Sequence, residues 1–160
     1  MNTRSVEITI RTFRTEELSG EEKQWMDAAV AAARQAYAPY SGFRVGAVAV
    51  LADGTLVTGN NQENIASPSG MCAERVALFS AHARYPEAPV KALAVAAVRG
   101  DRIVPSIAPC GSCRQVLQET ERRQRHPVRI LLCGCEEVRC VDSAASLLPL
   151  SFEQTFDEHR

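Results

Sequence analysis

Val45-Gly46-Ala47-Val48-Ala49-Val50-Leu51, followed by Ala52-Asp53-Gly54 and Thr55-Leu56-Val57-Thr58-Gly59, decides how this chain folds. The first seven residues form a mostly apolar run fit for a buried strand. Asp53-Gly54 supplies a tight turn that tolerates positive φ, and 55–59 returns as the hairpin partner. On the N-terminal side, Ser19-Gly20-Glu21-Glu22 reads as a capping box opening an alanine-rich helix over 21–37, with Trp25, Ala29, Ala32 and Ala36 on one side and Trp25 as a core anchor. Pro39 stops it. Earlier still, Val6, Ile8 and Ile10 recur at period two and predict an opening strand over 5–10.

On the C-terminal side, the spacing of Val76, Ala77, Phe79, Ser80 and Ala83 predicts a helix over 73–84 with those residues on its apolar side. Residues 91–98 read as a buried strand, 111–124 as a helix, 128–133 and 138–141 as strands, and 143–148 as a short helix before Pro149. Strands alternating with helices predict a layered α/β domain, its central sheet covered on both faces, and the hairpin makes that sheet mixed.

The chain has 160 residues, 46% of them hydrophobic, which suits a single domain, 1–160, with a full-sized core. No apolar run approaches the roughly 20 residues that span a bilayer, and the N-terminus lacks the apolar centre of a signal peptide. A soluble, cytoplasmic protein without a membrane partner is expected. The formal net charge is −1, with charges of both signs scattered along the chain, so no nucleic-acid partner is expected. Six cysteines without a secretory segment point to thiols free for metal rather than to a disulfide framework.

Cys72 stands at the start of one predicted helix, and Cys110 with Cys113 at the start of another. A closed structural zinc takes four protein ligands, whereas three leave a position for water, as in a catalytic site. Glu74 follows the first thiol by two residues and is placed near that water without ligating; it can act as base and then acid. The plainer readings are a first-turn glutamate favoured by the helix dipole, a structural zinc knot, buried thiols, or a redox C-x-x-C that leaves Cys72 and Glu74 unused. Zinc with three thiolates sums to −1, which resists ionising a water. The two helix N-termini offset that charge, as do Arg75 and Arg114, each expected to donate charge-assisted hydrogen bonds to the sulfurs. Cys133, Cys135 and Cys140 lie outside this pattern and read as buried thiols before a second metal or redox pair. His82, His126 and His159 have no metal-type spacing and read as surface residues.

With these residues in view, the chain resembles the small, homotetrameric cytidine deaminases. The resemblance runs over 36–152 and rests on Tyr37-Ala38-Pro39-Tyr40-Ser41-Gly42-Phe43-Arg44-Val45-Gly46-Ala47, Asn61-Gln62-Glu63-Asn64, Cys72-Ala73-Glu74-Arg75, Pro109-Cys110-Gly111-Ser112-Cys113-Arg114-Gln115 and Leu147-Leu148-Pro149. Cys72-Ala73-Glu74 takes the place of H-x-E in the zinc deaminase signature H-x-E…P-C-x-x-C. The resemblance implies a three-layer α/β/α fold with a central mixed five-stranded sheet. It implies zinc as cofactor on Cys72, Cys110 and Cys113, with Glu74 as catalytic acid and base. It also implies deamination of the nucleosides cytidine and 2′-deoxycytidine to uridine and 2′-deoxyuridine in pyrimidine salvage.

Substrate contacts are implied at Phe43, which stacks on the pyrimidine, at Asn61 and Glu63, which hydrogen-bond the ribose 3′-hydroxyl, and at Ala73. Phe152 is implied to close an adjacent subunit's site in a homotetramer with shared active sites. Where the family commonly reads N-V-E-N-A-S-Y, Ile65 and Ser67 replace alanine and tyrosine. An aminonucleoside such as blasticidin S is the alternative substrate on the same scaffold.

Overall fold

The structure is a computed structural model that describes residues 1–152. Its strands are β1 (Arg11–Arg14), β2 (Phe43–Leu51), β3 (Leu56–Asn60), β4 (Val90–Arg99), β5 (Arg102–Ile103), β6 (Arg129–Cys133) and β7 (Glu137–Val141). Its helices are α1 (Gly20–Arg34), α2 (Ala73–Arg84) and α3 (Gly111–Gln124). The strands form one mixed sheet in the order β1-β7-β6-β4-β2-β3, with β5 also pairing β4. Every pair is antiparallel except β4 with β6, which the chain joins through α3.

Period-two alternation inside the apolar runs fills both faces of the sheet. Ala47, Ala49, Leu51, Leu93, Val95, Ile130 and Leu132 meet α2 and α3, whereas Val48, Val50, Ala92, Ala94, Ala96, Val98 and Leu131 meet α1. The result is the expected α/β/α layering. Trp25 anchors the α1 side, and Ser19 and Glu22 form the reciprocal capping box at the start of α1.

Two glycines set how closely the helices approach. A Cβ on Gly46 would lie 2.1 Å from the carbonyl oxygen of Ala29 in α1, and one on Gly59 would lie 2.4 Å from the Ala77 nitrogen in α2. Gly59→Ala and Gly46→Ala should each lower stability by about 1–3 kcal/mol through overpacking. Because α2 carries Cys72 and Glu74, only Gly59→Ala is expected to weaken zinc binding as well; metal titration beside calorimetry of the two variants checks this.

Three expectations are corrected. The sheet has seven strands rather than five, the additions being β1 and the two-residue β5. The opening strand over 5–10 is not formed: residues 1–10 carry no regular secondary structure, with Val6, Ile8 and Ile10 exposed, and β1 starts at Arg11. The cause is the partner. Arg11 pairs with Cys140, one residue before β7 ends, so little strand remains for an earlier residue to bond. Helix α1 ends at Arg34, not near 37, because Tyr37 is drawn into the 61–63 segment: its amide donates to the Asn61 carbonyl at 3.2 Å and its carbonyl accepts from the Glu63 amide at 2.8 Å.

Candidate active site

Helices α2 and α3 both begin at a cysteine. Cys72 is the N-cap of α2, Cys110 is the N-cap of α3, and Cys113 lies in the first turn of α3. Their Sγ atoms converge: Cys72 to Cys110 is 3.8 Å, Cys110 to Cys113 is 3.5 Å, and all three lie within 4.8 Å of one another. Zn–S bonds of about 2.3 Å at tetrahedral angles place sulfurs roughly 3.8 Å apart. The triad therefore fits zinc, with one corner of the tetrahedron left to a non-protein ligand. Among the described residues this is the only such group of three or more metal-type side chains.

The electrostatics agree with that fit. Burial works against the Cys110 thiolate, but the Cys113 amide and the neighbouring thiols hold this thiol below its ordinary value. Cys113 is pushed up, first by its burial and then by the charge of Glu74. Three crowded thiols of which the deepest resists ionising alone are what a divalent cation relieves.

Glu74, the second residue of α2, turns inward and is 5% exposed. Burial raises its carboxyl above the usual range, while its own backbone amide, the Cys113 thiol and Arg75 act the other way. Arg75 donates from Nη2 to Cys72 Sγ at 3.7 Å. Arg114 does not reach sulfur. Its Nε donates to the Pro109 carbonyl at 2.8 Å and its Nη1 to the Leu147 carbonyl at 3.0 Å. Through these two bonds Arg114 holds the loop residue just before Cys110 and ties it to the Leu147 carbonyl.

A cavity of about 540 Å³ opens beside Cys72 and Arg75, with Tyr40, Asn61, Glu63 and Ile65 on its wall. Asn61 is placed by β2: its Oδ1 accepts from the Val45 amide at 2.7 Å and its Nδ2 donates to the Phe43 carbonyl at 3.0 Å. Glu63 accepts from the Tyr40 amide at 2.8 Å. Phe43 begins β2, half-buried, with the Arg99 guanidinium 5.6 Å from its ring centroid. Neither Phe43 nor Ala73 lines the cavity; Ala73 is fully buried in the core beneath α2. Phe152 is exposed and away from the cavity, its backbone held by the Gln115 side chain. Ile65, at 87% exposure, stands at the cavity mouth with Ser67.

The reading from sequence missed Tyr40 as a wall residue and the Tyr40-Ser41 turn as a partner of Glu63; the signal available was Ser41-Gly42, a tight-turn pair directly before β2. Cys133 and Cys140 are buried thiols, and Cys135 is exposed instead. Cys133 is pushed up to about 12, chiefly by burial, and Cys140 Sγ accepts from Arg129 Nε at 3.1 Å. His82 is half-buried, His126 is exposed, and His159 lies outside the described residues.

Residues 19–127 match the family model for the cytidine and deoxycytidylate deaminase zinc-binding region. The chain is 42% identical over 91 residues to a cytidine deaminase of Halalkalibacterium halodurans, a match covering 57% of this chain and 65% of that one. It is 43% identical over 104 residues to a cytidine deaminase of Mycobacterium tuberculosis, covering 63% and 74% respectively. The matched segments thus span roughly two thirds to three quarters of these relatives. Among solved structures, the cytidine deaminase of Burkholderia pseudomallei superposes with a TM-score of 0.70 at 39% identity, covering 84% of this chain and all of that one. The M. tuberculosis enzyme gives 0.66 at 30% identity over 85% of this chain. With the family model spanning the capping box, both cysteine clusters and the strands between them, the chain belongs to the zinc-binding cytidine and deoxycytidylate deaminase family.

Proposed function

We propose that this protein is a zinc-dependent hydrolase that converts cytidine and 2′-deoxycytidine, with water, to uridine or 2′-deoxyuridine and ammonia. The observation that carries this reading is the convergence of three thiols with Glu74 buried against Cys113, one of those thiols, Cys72, lining a cavity of about 540 Å³. Cys72, Cys110 and Cys113 would hold the zinc ion, which when bound would supply a Lewis acid able to bring the pKa of water toward about 7.

Glu74 takes one proton from the water and passes it to the ring nitrogen beside the reacting carbon, then takes the second from the hydroxyl now on that carbon and passes it to the departing amino group, which leaves as ammonia. Arg75 and the two helix N-termini offset the negative charge of the thiolates. Asn61 and Glu63 receive the sugar, Phe43 is assigned to the base by the family resemblance alone, since its ring is not on the cavity wall, and Phe152 reaches a neighbouring copy's site in a homotetramer. The outward-facing, uncovered ring of Phe152 supports that last assignment. The protein works in the cytoplasm as one domain over 1–160, in pyrimidine salvage. No observation favours the aminonucleoside alternative.

The test is ammonia release, with the accompanying fall in ultraviolet absorbance, from cytidine and 2′-deoxycytidine by the zinc-loaded protein. Turnover of about 1–10³ s⁻¹ is expected. Zinc-loaded protein that releases no ammonia from either nucleoside ends the proposal.

A further inference from the structure

Residues 38–43 form a tight turn on the rim of the cavity. The Gly42 amide donates to the Ala38 carbonyl at 3.0 Å, and Gly42 takes φ +64°, a value that favours glycine. Within the turn one hydroxyl makes two bonds. Ser41 Oγ accepts from the Phe43 amide at 3.0 Å and donates to Glu63 Oε1. The other carboxylate oxygen accepts from the amides of Tyr40 at 2.8 Å and Ser41 at 3.3 Å. Glu63 is thereby held below the usual carboxylate range, by the Ser41 hydroxyl first and the Tyr40 amide second.

An ionised carboxylate offers about four acceptor positions. Three are taken by the turn, which leaves roughly one for a ligand in the cavity that Glu63 lines. A group with one free acceptor position can bind one hydroxyl donor, not two. This is consistent with a site that requires a single sugar hydroxyl and tolerates the absence of its neighbour.

We propose that Ser41 is a positioning residue for the sugar: its hydroxyl locks Glu63 so that the remaining acceptor faces the cavity, and ties that carboxylate to the start of β2 at Phe43. The inference rests on the reading of Glu63 as the sugar acceptor. Nothing in it requires Ser41 to touch the substrate. Without the hydroxyl, Glu63 keeps only the two turn amides and gains rotational freedom, so nucleosides that use the hydroxyl bind less well, while the chemistry at Glu74 is unaffected.

The experiment compares cytidine, 2′-deoxycytidine and 2′,3′-dideoxycytidine on wild type, Ser41→Ala, Ser41→Thr and Glu63→Gln, each with zinc content and melting point measured. Ser41→Ala is expected to raise KM for the first two nucleosides about tenfold, as loss of part of a charge-assisted hydrogen bond does. The kcat values and the KM for dideoxycytidine should stay near wild type, and Ser41→Thr, which keeps the hydroxyl, should restore KM. If Ser41→Ala raises KM for all three nucleosides alike, or lowers kcat, the hydroxyl merely supports the fold and the inference is overturned. If Glu63→Gln separates the three substrates and Ser41→Ala does not, the role of Ser41 alone fails. If Glu63→Gln does not separate them, the sugar reading of Glu63 fails and takes the inference with it.

Discussion

Glu74→Gln is expected to lower kcat on cytidine by about 10² to 10⁴-fold, the range that positioned general acid–base catalysis commonly contributes. Glutamine keeps the size of the side chain and can still accept from the helix amide, but it cannot take up and return a proton. Since the group able to hold the ion consists of the three sulfurs and does not include residue 74, zinc content should remain at one per chain. The melting point should hold or rise, because an ionisable group at 5% exposure is replaced by a neutral one. Turnover within a few fold of wild type, at full zinc content, would remove Glu74 from the mechanism.

Cys113→Ser acts on the cage itself and should abolish turnover together with bound zinc. Serine presents an alcohol that stays protonated where the site needs a soft anionic donor, at a position with no solvent exposure. The loss should also appear in stability. A ligand present at about 1,000 times its Kd stabilises the folded state by about 4.1 kcal/mol. At roughly 2–4 °C per kcal/mol for a domain of this size, the melting point should fall by about 8–16 °C. Chelation of the wild type should reproduce that shift and added zinc should reverse it. A variant that keeps stoichiometric zinc and the wild-type melting point would show that the ion sits elsewhere.

Where the sequence carried strong local signals, structure followed them. The boundaries of α2 and α3 agree with the expected 73–84 and 111–124; in α2 the apolar spacing runs almost to the end, whereas the second half of α3 is polar and closes at Arg125 in the left-handed region. The side that α2 buries was read with the wrong rotation: Ala73, Glu74, Ala77, Leu78 and Ala81 face inward, and Phe79 is exposed. Apolar spacing alone points to Phe79, but packing at Gly59 and the inward turn of Glu74 select the other side. In the site, the convergence of the three thiols was legible because C-x-x-C and Cys-x-Glu each sit at a helix start.

Long-range side-chain partners were not legible, because spacing says nothing about which distant carbonyl a donor meets. Arg114 finds Leu147, 33 residues away. Glu121, almost wholly buried in α3, accepts from the Val128 amide at 2.6 Å, the Ala144 amide at 2.7 Å and the Ser143 hydroxyl at 2.9 Å, tying the helix to β6 and to the 3-10 turn Ala144–Leu147. Neither bond set leaves a periodic trace in the chain.

The short strand β1 bears on how molecules of this protein coexist at high concentration. By covering β7 it moves the sheet's open margin onto four residues, two of which, Arg11 and Arg14, are charged. A brief margin studded with guanidinium groups is a poor template for a foreign strand, so this side of the sheet resists runaway polymerisation even though Val6 and Ile10 stand uncovered beside it.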